Sequence, residues 1–273
     1  MPLQRPEFET LELSLEQQVA VVCLNRPDKA NSMNTAMWAE LQQCFEWLDA
    51  EPAVRAVILA GNGKHFCSGI DLAMFSSLQG ESEEPARQAE YFRQQLLGLQ
   101  GNLTAIERCR KPVLAAIHSA CIGGGVDMTC CADMRYATQD AYFSIREIDI
   151  GMTADVGTLQ RLPKLIPDGV ARELAYTGRN MHAQEACEVG FVNRVFEDRA
   201  AMMREVMVIA RDIAGKSPLA IRGTKEMVLY TRDHSVADGL NYMAAWNAGM
   251  LSKADLEAGV VAQMQKKKAV YDD

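Results

Sequence analysis

Apolar and polar positions along this chain follow two periods. Residues 18–24 (QVAVVCL) form a β-branched apolar run that stops at Asn25-Arg26-Pro27, as a strand closed by a turn does. From Thr35 to Ala50, apolar Met37, Trp38, Leu41, Cys44, Phe45 and Leu48 recur three and four residues apart, which predicts a helix with one buried face. Residues 54–60 (VRAVILA) read as a second strand, ended by Gly61-Asn62-Gly63. This strand–helix–strand rhythm argues for an α/β fold.

Residues 76–90 are polar and acidic with no apolar period, and predict an exposed connection with a helix after it to about Arg108. Pro112 opens another strand that runs to the glycines at 123–125. Short strands follow at about 132–138 and 141–145, then a glycine-punctuated loop over 146–154, and helical spacing resumes at Val156. In the last third Gly215 reads as a helix stop, and Ser217-Pro218, Ser235 with Asp238, and Ser252 with Asp255 read as three successive N-caps. The helix predicted over 236–251 carries Val236, Leu240, Met243, Ala244, Trp246, Met250 and Leu251. That apolar face is too wide for one helix lying on its own domain. It fits either a helix buried in a large core or a subunit interface, and the interface is the expectation taken forward.

Composition narrows the classes. With 273 residues, 48% of them hydrophobic, the chain builds one or two domains with a sizeable core, and disorder, collagen and coiled coil are excluded. Lys and Arg number 28 against 36 Asp and Glu, a net charge of −8, which opposes phosphate-backbone binding and makes nucleic acid an unexpected partner. The eight cysteines form no C-x-x-C, and with four scattered histidines they supply no metal-ligand set. Most sit in apolar runs as small buried hydrophobes, a pattern suited to a reducing compartment. The stretch MPLQRPEFETLELSLE reads as neither a signal peptide nor a mitochondrial transit peptide, and AVYDD is not a peroxisomal address. No apolar run approaches the ~20 residues of a membrane span. The expectation is a soluble, cytoplasmic protein with no membrane partner.

Three segments can carry chemistry. The first is H-F-C-S-G-I-D-L at 65–72, a small-residue turn leaving a strand. Cys67 and Ser68 invite a nucleophile reading, but no G-x-S-x-G elbow surrounds them. The second is C-I-G-G-G-V-D at 121–127. It is not a dinucleotide fingerprint, because Met128 stands where Gly or Ala is needed. Its glycines permit close backbone approach, and its free N–H groups suit an anionic oxygen. Asp127 fits equally well as a first-turn carboxylate favoured by the helix dipole. The third, residues 146–162, brings Glu147, Asp149 and Asp155 into a glycine-rich loop among Ile150, Met152 and Val156. Carboxylates in such a loop acquire raised pKa values suited to acid–base work near neutrality. Asp155 also makes an adequate N-cap.

In order and separation, these segments resemble the enoyl-CoA hydratase/isomerase (crotonase) superfamily, from residue 11 to residue 265. N-R-P-D-K-A-N-S-M and S-P-L-A-I-R-G-T-K extend the resemblance. Asp127 and Asp155 make the chain most similar to the Δ3,5-Δ2,4-dienoyl-CoA isomerases, since hydratases carry Glu at the first position and Gly at the second. The resemblance implies an α/β spiral of ββα units as catalytic core (residues 1–205) and a C-terminal helical trimerisation region (206–273), in a homo-oligomer that is a trimer or a hexamer of two trimers. It implies that Ile70 and Gly124 supply the N–H donors of a thioester oxyanion hole, and that Ser68, Gly69, Ile70, Asp71, Leu72 and Gly124 contact an acyl-CoA thioester. It implies catalytic roles for Asp127, Glu147 and Asp155.

The implied reaction shifts 3,5-dienoyl-CoA to 2,4-dienoyl-CoA in fatty-acid β-oxidation. Glu147 works at C2, Asp155 at C6, and Asp127 orients or polarises a neighbour. It calls for no metal, flavin or nicotinamide; coenzyme A belongs to the substrate. The alternatives are a 2-enoyl-CoA hydratase, another crotonase chemistry, or a non-catalytic acyl-CoA- or RNA-binding relative. The carboxylates and the charge of −8 oppose the last of these.

Overall fold

A computed structural model describes residues 4–76 and 82–273. The chain opens with a hairpin of β1 (Leu11–Glu16) and β2 (Val19–Leu24), paired antiparallel from Leu11 with Leu24 to Glu16 with Val19. The sequence reading does not include β1. Its apolar residues do alternate, with Leu11 and Leu13 buried and Leu15 exposed. Its turn is Gln17-Gln18, both at positive φ (47° and 68°), where Asn and Gly are the usual hairpin signal.

Next comes α1 (Thr35–Ala50), capped by the Asn34 side chain on the Met37 amide, with all six periodic apolar residues buried as the spacing predicts. β3 (Ala56–Gly61) lies parallel to β2. α2 (Pro85–Arg108) starts earlier than the polar 76–90 connection allows. Residues 77–81 of that stretch lie outside the described residues, but 85–90 are helical. Pro85 takes the first helical position and Glu84 accepts from the Arg87 amide. The early turns of α2 are exposed, so they carry no apolar period; burial begins at Leu103.

β4 (Val113–Ile117), β5 (Ala120–Ile122), α3 (Gly124–Cys130), β6 (Met134–Thr138) and β7 (Tyr142–Ser144) follow closely. A 3-10 turn over Glu147–Ile150 leads through coil to α4 (Thr158–Arg161) and α5 (Asp168–Thr177). β8 (Met181–His182), α6 (Ala183–Glu188), β9 (Arg194–Phe196) and α7 (Arg199–Ala214) complete the α/β part. The larger sheet has the order β1-β2-β3-β4-β6-β9 and is parallel beyond β2; β5, β7 and β8 form a small second sheet. Successive residues of β3 and β4 point into different cores. Val57, Leu59, Val113 and Ala115 join the core that includes α1, while Ile58, Ala60, Leu114 and Ala116 meet Met202, Val206, Ala210 and Ala214 of α7. Burial on both faces makes these strands read as unbroken apolar runs.

The division at 205/206 falls inside α7, whose buried stripe from Met202 to Ala214 covers the sheet as one face. The helix gives way only at Gly215, its C-cap. Beyond it lie α8 (Pro218–Thr231), α9 (Val236–Met250) and α10 (Lys253–Met264). Ser217, Ser235 and Ser252 each accept from the amide three residues on, as predicted. α9 is no core helix. Gly239 is its one buried residue, whereas Val236 is 75% and Leu240 66% exposed. Among the described residues, no helix is long and apolar enough to cross a membrane.

Candidate active site

The turn after β3 and the start of α3 meet across a cavity of about 150 Å³. The turn is held from both sides. The Cys67 amide donates to the Ala120 carbonyl and the Ile122 amide to the Cys67 carbonyl. On the other side Met33 donates to Gly69, and Asp71 to Met33. These bonds fix the turn around the Ile70 amide and leave it unused. Gly69 sits at φ +95°, and a Cβ there would lie 3.1 Å from the Ile122 carbonyl oxygen, so the close approach needs glycine. Across the cavity the Gly124 amide opens α3. Among the described residues, neither the Ile70 nor the Gly124 amide has a protein acceptor, and both residues line the cavity.

The acidic wall comes from the loop after β7. Glu147 packs so closely on Gly123 (φ +52°) that a Cβ there would lie 3.1 Å from Oε1. Its Oε2 is buried without a partner among the described residues. Burial, followed by the charges of Asp127 and Asp155, pushes its pKa up to about 7. Asp155 lines the same cavity, and burial raises its pKa too. Asp127 stands behind the wall, fully buried on α3. Its Oδ1 accepts from the Thr158 amide at 2.6 Å, while Oδ2 has no partner among the described residues. Burial pushes it up to about 6 despite that bond.

This arrangement decides the readings left open for the two aspartates. α4 begins after Gly157 with no cap from its own N-terminal side chains; its first amide is served by Asp127, 31 residues upstream. Asp155 is therefore not a helix cap, and it lines the cavity. Asp127 does lie in the first turn of α3, but its hydrogen bond goes to a different helix.

The remaining candidates separate. Ser68, Gly69 and Leu72 line the cavity with Ile70. Asp71 does not; it pairs with Arg26 at 3.1 Å, and the Ala73 amide and Arg26 hold its carboxyl below the usual range. Asp149 pairs with Arg146 at 3.0 Å. Cys67 is buried, with burial pushing its thiol up to about 12, which rules it out as a ready nucleophile. The sequence reading missed Trp38 of α1 and Phe92, Leu96 and Leu99 of α2, which form the apolar wall. The spacing of the last three, one helical face, was the available signal.

Comparison with known proteins adds to this geometry. Residues 14–273 match the family described as Enoyl-CoA hydratase/isomerase. The chain is 47% identical over 264 residues to a mitochondrial Delta(3,5)-Delta(2,4)-dienoyl-CoA isomerase of Mus musculus, spanning 95% of this chain and 81% of that protein. It is 44% identical over 267 residues to a peroxisomal Delta(3,5)-Delta(2,4)-dienoyl-CoA isomerase of Arabidopsis thaliana, spanning 96% of each. An enoyl-CoA hydratase from Bacillus anthracis superposes with a TM-score of 0.88 at 30% identity, covering 97% of this chain and 99% of that one. The expectation of a cytoplasmic protein is overturned here. Both isomerases are named for organelles, which points away from the cytoplasm. That expectation rested on missing address signals, and the lack of one recognised signal does not fix a compartment.

Proposed function

The chain belongs to the enoyl-CoA hydratase/isomerase family, and from that premise we propose that it converts 3,5-dienoyl-CoA to 2,4-dienoyl-CoA in fatty-acid β-oxidation. The observation that carries this reading is the convergence of two unpartnered amides and two carboxyl groups with raised pKa on one apolar cavity. The names of the mouse and plant relatives select the reaction.

An α proton of a thioester is weakly acidic, so the enolate must be stabilised as it forms. The Ile70 and Gly124 amides receive the thioester oxygen, where negative charge develops; one such donor contributes about 2.7–4 kcal/mol. Glu147 lies beside Gly123, next to that oxyanion site, and C2 is the carbon next to the thioester carbonyl. Glu147 therefore removes the C2 proton. The electron pair spreads along the conjugated chain to C6, where Asp155, on the side of the cavity toward α2, delivers a proton. The 2,4-diene that results is conjugated with the carbonyl. Ser68, Gly69 and Leu72 hold the thioester end, and Asp127 raises the proton affinity of Glu147 from behind. The reaction moves a proton and uses no metal, flavin or nicotinamide; coenzyme A arrives with the substrate.

The assembly we propose is a homo-oligomer, a trimer or a hexamer of two trimers. In it the residues after Gly215 form the helical oligomerisation region and those before it the spiral catalytic core. The exposed apolar residues of α9 and α10, among them Val236, Leu240, Leu256 and Met264, support this.

Incubation with a 3,5-dienoyl-CoA and, separately, a 2-enoyl-CoA tests the proposal. The expected result is growth of 2,4-diene absorbance with unchanged product mass. Gain of one water without diene formation would establish a hydratase, and binding without turnover a non-catalytic relative.

A further inference from the structure

Asp155 lies in residues 152–157, which belong to no helix or strand. The two ends of this stretch are fixed. The Met152 amide donates to the Glu147 carbonyl at 2.9 Å, and the Thr158 amide to Asp127 at 2.6 Å. Between them, among the described residues, no backbone amide of 153–157 donates to another residue's backbone. The bond that reaches the middle comes from α2, where Gln100 Nε2 donates to the Asp155 carbonyl oxygen at 2.7 Å.

Gln100 is itself anchored. Thr104 Oγ1 donates to the Gln100 carbonyl at 2.6 Å and accepts from Arg161 Nη2 at 3.2 Å, and Arg161 also pairs with Glu107 at 3.1 Å. Gln100, Thr104 and Glu107 are four and three residues apart and share one face of α2. That face thus holds the loop at Asp155 and the helix that follows it at Arg161.

We infer that Gln100 is a positioning residue for the proposed reaction, setting where Asp155 delivers its proton. The inference rests on the reading of Asp155 as the acid at C6. A neutral amide suits this role because it fixes the main chain without pairing with the carboxyl group or adding a charge to it. Ala154 and Val156 keep the loop packed in the core on either side of Asp155. Losing Gln100 therefore frees the Asp155 carbonyl rather than the whole loop, and a displacement of about 1 Å at a reacting group costs on the order of 100-fold.

The test separates the two halves of the reaction. Gln100→Met keeps length and shape but removes the donor; Gln100→Ala serves as a second variant should the thioether pack badly. For each, 2,4-diene formation and exchange of the C2 proton with deuterated water are measured on the same 3,5-dienoyl-CoA. Diene formation is expected to fall about 10- to 100-fold through kcat. C2 exchange should stay within about twofold, with its pH profile and the melting temperature unchanged. A parallel fall in both rates, or diene formation within about twofold of the parent, overturns the inference. The parent protein judges the underlying reading by itself: exchange at C2 without diene formation removes Asp155 from C6, and the inference falls with it.

Discussion

Three acidic side chains share one buried neighbourhood, and each carries a different load. Glu147, pushed up to about 7, ionises close to neutrality, as a base working at a weakly acidic C–H bond requires. Asp155, also raised, is the acid in the proposed sequence. The expected division of labour is testable. Asp155→Asn should abolish diene formation yet permit slow exchange at C2 with deuterated water, whereas Glu147→Gln should suppress both. Near-normal diene formation by Asp155→Asn would remove Asp155 from C6. Asp127 leaves a mark on stability. Its folded pKa lies above its ordinary value, so its contribution is present below about pH 4 and is lost as pH rises through about 6. Asn at 127 keeps an oxygen for the Thr158 amide and has no charge to bury. The melting-temperature difference between Asp127→Asn and the parent should therefore move in the variant's favour by about 5 °C from about pH 4 to about pH 8. Removing that charge should also shift the acidic limb of the rate profile to lower pH, because Asp127 raises Glu147. A flat difference in melting temperature would show that folding does not raise the Asp127 pKa above its ordinary value.

At the scale of elements, the site is assembled where short pieces end rather than on any one of them. The turn after β3 supplies one amide, the first residue of α3 the other, and a 3-10 turn after β7 supplies Glu147. α2 closes the cavity with Phe92, Leu96 and Leu99, and Gln100, next to Leu99 on the adjoining side, ties down the loop of Asp155. Gly124 occupies the first position of α3, where proline is tolerated in a helix and removes one N–H. Gly124→Pro is thus expected to fold and to lose about 100- to 1000-fold in turnover on every thioester tested. Gly124→Ala, which keeps the N–H, is crowded by the Met33 thioether at 3.1 Å and meets the Trp38 ring at an ordinary 3.6 Å, and should lose far less. Equal losses in the two variants would mean that crowding, not the missing donor, is responsible.

For the molecule as a whole, the α/β part buries its apolar surface in two cores on either side of the larger sheet, and the last helices do not share in that burial. Leu240 at 66%, Leu256 at 54% and Met264 at 80% exposure make an apolar surface of the kind that marks association. Leu240→Glu adds a charge at a position that contributes nothing to the monomer's core. It should reduce the proposed assembly to a smaller species in sedimentation velocity without lowering helix content by circular dichroism. Retention of the parent's sedimentation coefficient would place the interface elsewhere. A point change is cleaner here than truncation. The last residues also pack back on the molecule, Arg55 donating to the Tyr271 carbonyl at 2.7 Å and Arg222 pairing with Asp273.

What the sequence determined by itself is local. The six buried residues of α1, the three serine caps and the apolar runs of β2 to β4 follow from periodicity and capping, which act within a turn or two of chain. The glycine-bracketed turns and the acidic loop were legible for the same reason, and the resemblance they carried was enough to name a family. Tertiary structure decided the rest. The Gln17-Gln18 turn became a hairpin because β2 was there to pair with, and the polar start of α2 became helix without an apolar face to announce it. Asp127 caps a helix 31 residues away, which frees Asp155 for the cavity; Gln100 reaches Asp155 across 55 residues, and Arg26 takes Asp71 across 45. Each of these is one polar contact between distant positions. A polar residue offers many partners of equal chemistry along the chain, and only the packed core brings one of them within hydrogen-bonding distance.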